Sequence, residues 1–136
     1  MQPPTCIDHL GIAVHSLDEA SRLYGDLLGL TPGGIEEVED QQVRIAFFQV
    51  GEVRIELLEP TSGDSPIAKF LQKRGPGLHH ISYRVQDLPA TLAALKAGGV
   101  KLIDERPRAG AHGMNIAFAH PSGTQGVLTE FCEPGV

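Results

Sequence analysis

The chain has 136 residues, 41% hydrophobic and 21% charged, which suits one soluble domain or two small halves sharing a core. Eleven basic against 17 acidic residues leave a net charge of −6, which argues against a nucleic-acid surface. No apolar run approaches the roughly 18–20 residues of a membrane span, and there is no length for separate catalytic and cofactor domains.

The start, MQPPTCIDHLGIAV, has no basic stretch and carries Asp8 and His9 where an apolar leader core would lie, so no secretory leader is expected. Cys6 and Cys132 make no disulfide framework and suit a cytoplasmic protein. A strand is predicted over about 7–14, followed by Ser16-Leu17-Asp18-Glu19, a capping box that opens a helix. Leu17, Ala20, Leu23, Tyr24, Leu27 and Leu28 recur at helical spacing as one apolar stripe, and Gly29 stops it. The acidic run Glu36, Glu37, Glu39 and Asp40 reads as a solvated loop. Strands follow at 43–51 and 53–60. Residues 60–64 form a turn, Ser65 or Asp64 caps a short helix with Pro66 near its start, and Gly75-Pro76-Gly77 breaks it. After a strand over 78–85, Asp87 caps a helix with Pro89 in its first turn, Leu88, Leu92 and Leu95 on its buried face, and Gly98-Gly99 at its end. The segments 114–123 and 127–134, matching 43–51 and 53–60, complete the chain.

These elements contain a repeat. IDHLGIAVHSLDEA (7–20) aligns with LHHISYRVQDLPAT (78–91), so that His9 falls on His80, 71 residues on. Ile45 and Phe47 fall on Ile116 and Phe118 at the same offset, and Glu56 falls on Glu130 at an offset of 74. Each copy reads β-α-β-β-β: module one at about 6–60, a linker helix at about 61–76, module two at about 77–134. Neither could bury a helix stripe and a sheet face alone, so an α+β fold with a cupped mixed sheet in one domain is expected.

Strand parity assigns faces. Leu10, Ile12 and Val14 belong with the helix and His9 opposite; Ile81, Tyr83 and Val85 likewise leave His80 opposite, and Glu56 and Glu130 also point away from the helices. Two imidazoles and two carboxylates suit a divalent ion in octahedral geometry, bound less tightly in acid because the donors must be deprotonated. His79 reads as a structural neighbour, and His112, in the loop 109–113, as a group able to reach a ligand. His15 and His120 receive no role. Phosphate-loop, nucleophile-elbow and dinucleotide signatures are missing, which excludes those enzyme classes. The same donor set also describes a non-haem iron dioxygenase or a glyoxalase I-type lyase, and a metal-free binding protein that sequesters small molecules remains a third reading.

CIDHLGIAV (6–14), RIELLEP (54–60), DSPIAKFL (64–71), GLHHISYRV (77–85), GAHG (110–113) and GVLTEF (126–131) resemble methylmalonyl-CoA epimerase. That family lies in the vicinal oxygen chelate superfamily, with glyoxalase I and the extradiol dioxygenases. The resemblance implies a homodimer with one divalent ion, cobalt or else manganese, magnesium, nickel or zinc. It implies inversion of C2 of methylmalonyl-CoA through an enolate. His9, His80 and Glu130 fall on the family's metal ligands, and Glu56 where members carry a further Gln or Glu ligand. Glu130 and Glu56 are then the candidate catalytic carboxylates. Some members place an acid in the strand held here by Val43–Phe47, where this chain has Arg44. Ser65, Lys69, Lys73 and Arg74, at the linker helix, could meet the CoA phosphates.

Overall fold

The computed structural model describes residues 1–135. The chain divides into two compact units, one of His9–His79 and one of Met1–Asp8 together with the residues from His80 onward. In the first, β1 (Cys6–Ala13, entered from the other unit) leads to helix α1 (Leu17–Leu27), then β2 (Thr31–Val38), β3 (Val43–Val50), β4 (Val53–Pro60) and α2 (Pro66–Arg74). The second carries β5 (Gly77–Arg84), α3 (Leu88–Ala97), β6 (Arg108–Ala109), β7 (Met114–Ala119) and β8 (Thr129–Pro134). The strands run in the order β2-β3-β4-β1 in one and β6-β7-β8-β5 in the other. In both, the first strand lies parallel to the last and the remaining pairs are antiparallel. Each unit is thus a β-α-β-β-β module with a mixed sheet, the α+β architecture expected from the repeat.

The repeat extends to the way the helices begin. Ser16 Oγ accepts from the Glu19 amide at 3.2 Å, and Asp87 Oδ1 from the Ala90 amide at 3.0 Å. A glutamate near the end of the parallel strand then accepts the first helical amide: Glu59 Oε2 from Leu17 at 2.7 Å, Glu133 Oε2 from Leu88 at 3.0 Å. Each carboxylate satisfies an amide that a helix start leaves open and sits at the positive end of the helix dipole. The first turn of α1 also holds Asp18 and Glu19, whereas that of α3 holds no acid. Glu133→Ala should therefore cost about 1–2 kcal/mol and Glu59→Ala less, read from urea unfolding midpoints.

On the helix side, β-strand residues of one parity meet the helix stripe. Val14, Leu17, Ala46, Phe48 and Leu57 form one core; Val85, Leu88, Leu92, Ala117, Ala119 and Phe131 form the other. The predicted α1 stripe holds only in part, since Leu23, Leu27 and Leu28 are 47%, 80% and 59% exposed. The cause is a change of helical pitch: from Arg22 to Leu27 the helix is π-wound, and the Leu28 amide bonds back to the Leu23 carbonyl at 2.8 Å. The wider turn shifts the phase that an α-helical count assumes. Gly25 sits in this turn, where a Cβ would stand 3.1 Å from the Phe48 ring. The acidic run also differs from its predicted loop. Glu36 and Glu37 lie on β2, whose backbone pairs with β3 on one side, so ladder bonds override the charge of an edge strand. Among the described residues no helix is long and apolar enough to cross a membrane.

Candidate functional site

In the unit of His9–His79, β1 carries His9 and β4 carries Glu56, on the face opposite the helix core. Parallel pairing sets Gly11 beside Glu56, where no side chain intrudes, and antiparallel pairing sets Phe47 across from it. His9 and Glu56 are 5% and 3% exposed, and His9 Nδ1 lies 3.2 Å from Glu56 Oε2. Arg54 reaches the same oxygen at 3.1 Å, with its guanidinium 6.0 Å from the centre of the Phe47 ring. A carboxylate this deeply buried is tolerated because the Arg54 guanidinium meets it.

The other unit repeats the arrangement from β5 and β8. His80 and Glu130 are 5% and 4% exposed, with His80 Nε2 3.9 Å from Glu130 Oε1. Phe118, the repeat partner of Phe47, presents its ring edge-on to His80 at 5.4 Å. Beside them Ser82 donates to Cys132 Sγ at 3.4 Å, and burial pushes that thiol up to about 12. Cys132 is thus an inert buried thiol, and both cysteines are free. Asp8, which the repeat aligns with His79, accepts from Arg84 at 2.6 and 3.0 Å, a bond that raises the arginine's affinity for its proton.

Both donor pairs fit a metal. Two ligands on one ion, with bonds of about 2.1 Å, lie roughly 3.0 Å apart when cis and roughly 4.2 Å when trans. The 3.2 Å and 3.9 Å separations fall within that range, and imidazole with carboxylate is the donor set of a borderline divalent ion.

The remaining candidates lie elsewhere. Ser65 is fully buried and its hydroxyl accepts from the Ile67 amide at 3.1 Å, capping α2. Lys69 is exposed on that helix, and His112 is exposed in a tight turn with φ of 56°. His79 packs edge-on against Phe70 at 5.1 Å, and burial lowers its pKa from 6.5 to about 4. The sign follows: as pH falls below 6.5 the unfolded chain takes up the proton that folded His79 refuses. Stability should then drop by up to about 3 kcal/mol between pH 6.5 and 4 and stay flat above 7. Urea midpoints across that range check this, and His79→Gln should flatten the slope.

Two residues escaped the reading of the sequence. Arg44 turns to the helix side, where its guanidinium meets Glu59 at 3.3 Å, so it does not occupy the place of an acid facing the donors. The β3 residues that share the Glu56 face are Val43, Ile45, Phe47 and Gln49, the first three buried and apolar and none of them an acid. Period-two counting along β3 carries this signal, because Arg44 shares its parity with the apolar helix-face residues Ala46 and Phe48. Arg54 is the second, recognisable only from its position two residues before Glu56 on the same strand.

The comparisons agree with this geometry. Residues 8–118 match the Glyoxalase/Bleomycin resistance protein/Dioxygenase superfamily. The chain is 50% identical to the uncharacterized protein YqjC of Bacillus subtilis, over 94% of this chain and 91% of that one. The crystal structure of methylmalonyl-CoA epimerase from Mycobacterium tuberculosis superimposes with a TM-score of 0.94 at 40% identity, covering 100% of this chain and 94% of that one. A variant of the Streptomyces coelicolor methylmalonyl-CoA epimerase in complex with 2-nitronate-propionyl-CoA gives 0.94 at 37% identity, covering 98% and 100%. The chain belongs to the Glyoxalase/Bleomycin resistance protein/Dioxygenase superfamily and, within it, to the family of the methylmalonyl-CoA epimerases.

Proposed function

We propose that this protein is a metal-dependent epimerase that interconverts (R)- and (S)-methylmalonyl-CoA, with His9, Glu56, His80 and Glu130 holding one divalent ion. The observation that carries the reading is the duplication of a buried imidazole–carboxylate pair, one in each module at equivalent positions of equivalent strands. The relative solved with a CoA thioester analogue supports the substrate class. Cobalt is the ion assigned, and a cytoplasmic homodimer is the assembly. The exposed leucines 23, 27 and 28, with Ile35 at 61% exposure, supply apolar surface for a second copy.

The C2–H of the substrate lies between a thioester and a carboxylate. The ion, when bound, is the Lewis acid that offsets the negative charge developing on the substrate's oxygens. Everything else falls to the chain. Glu130 takes the C2 proton, the C–H electron pair passes into the enolate, and a water held by Glu56 delivers a proton to the opposite face of C2. In the reverse direction the two exchange roles. Phe47 and Phe118 provide apolar walls beside the donor pairs, which keep water from competing for the carboxylates. For the CoA end we assign Lys69 to the phosphates, Ser65 to fixing the start of the helix that bears it, and His112 to the substrate contact from its turn.

Proton NMR of methylmalonyl-CoA in D2O tests the reading. Loss of the C2 proton signal with epimer interconversion, only with metal-loaded protein, is the expected result. A silent C2 proton together with isomerisation of a glutathione hemithioacetal would move the chain to a glyoxalase activity.

A further inference from the structure

The two modules carry equivalent carboxylates in unequal surroundings, and the difference has a direction. Two residues before Glu130 on its strand stands Leu128, part of the apolar cluster of Ile116, Phe118 and Cys132. Two residues before Glu56 stands Arg54, buried to 16% side-chain exposure and bonded to Glu56 Oε2 at 3.1 Å. His9 Nδ1 meets that same oxygen, so both donors converge on Oε2 and none of the described hydrogen bonds goes to Oε1. On the neighbouring strand, the residues sharing this face are Val43, Ile45, Phe47 and Gln49, none of which is an acid or a base.

We infer that Arg54 is a positioning residue: it fixes the Glu56 carboxylate through Oε2 so that Oε1 holds the water that serves as the second proton source, the task that β3 has no acid to perform. This rests on the epimerase reading above for its catalytic part. The chemistry is balanced without any further reactant. Glu130 removes the C2 proton, the electron pair stays in the enolate, and a new C–H bond forms with a proton from a water held at Glu56 Oε1; the hydroxide left behind takes up the proton that Glu130 releases. A guanidinium suits the role because its charge holds Oε2 through one bond, and its place 6.0 Å from the centre of the Phe47 ring limits its own freedom.

The test separates proton removal from inversion. In D2O, wild type should exchange and invert C2 together. Arg54→Gln should lower inversion on the order of 10²-fold, as misplacing a catalytic group does, while exchange into the unreacted epimer falls far less. The ratio of exchange to inversion therefore rises, and Arg54→Lys, which keeps the charge, should bring it back towards wild type. The visible spectrum of the Co(II)-loaded protein gives a readout independent of turnover: Arg54→Gln should shift it at unchanged metal content, and Arg54→Lys should shift it less. A Co(II) spectrum identical to wild type overturns the positioning role. An unchanged ratio, or exchange and inversion falling together, overturns the catalytic part. Should wild type act on no malonyl thioester while the spectrum still shifts, the epimerase reading fails and the positioning of Glu56 stands.

Discussion

Glu130→Gln is expected to lower C2 proton exchange of methylmalonyl-CoA by about 10³-fold, in line with the loss of a positioned general base. The substitution is chosen for what it keeps. Glutamine has the shape of glutamate, and the side chain at position 130 is only 4% exposed, so a smaller residue would leave a void and confuse a packing defect with a chemical one. What glutamine lacks is a lone pair basic enough to accept a carbon-bound proton. Its oxygen can still meet His80, whose ring is held edge-on by Phe118, so the local packing survives. The metal must be measured alongside: a tenfold weaker affinity offset by excess ion should not restore exchange if Glu130 is the base. Exchange at the wild-type rate with metal bound would remove Glu130 from the chemistry. Exchange that returns fully at high metal would reduce it to a ligand.

The donor residues were legible because they obey two simple periods at once. Alternation along β1, β4, β5 and β8 separates His9, Glu56, His80 and Glu130 from the helix-facing apolar residues, and the internal repeat ties the pairs to each other. Capping was legible for the same reason, since Ser16 and Asp87 are local signals acting over three residues. The failures are long-range or depend on pitch. Nothing near Leu17 or Leu88 announces that Glu59 and Glu133 will cap them from strands 42 and 45 residues away. A helical count cannot foresee that α1 becomes π-wound at Arg22, because the close approach of Gly25 to Phe48 that accompanies the change belongs to tertiary packing. Arg44 stands in the strand where some members carry an acid, and its turn to the helix side follows only from its parity and its pairing with Glu59. Arg54 was visible as a neighbour of Glu56, but its bond to Oε2 emerges only once β1 and β4 are paired.

Removing the metal should stop exchange and also soften the fold, and the second effect decides whether one ion joins the two donor pairs. Protein dialysed against EDTA is expected to lose C2 exchange and to regain it with Co(II). An ion at 100 times its dissociation constant stabilises the folded state by about 2.7 kcal/mol, which corresponds to a rise in Tm on the order of 5–10 °C for a chain of this size. The argument for a single shared ion predicts how that rise responds to mutation. His9 belongs to one pair and His80 to the other, so if the pairs bound separate ions, His9→Ala would erase roughly half the stabilisation and leave one ion behind. A shared ion loses a ligand in either variant. His9→Ala and His80→Ala should then each abolish most of the metal-dependent rise in Tm, and metal analysis should fall from one ion per chain towards none in both. The pH dependence points the same way: the imidazoles must be neutral to bind, so the stabilisation by Co(II) should fade in acid. Two ions per wild-type chain, or a Tm response that survives intact in one of the two histidine variants, would refute a shared centre and with it the epimerase mechanism built on it.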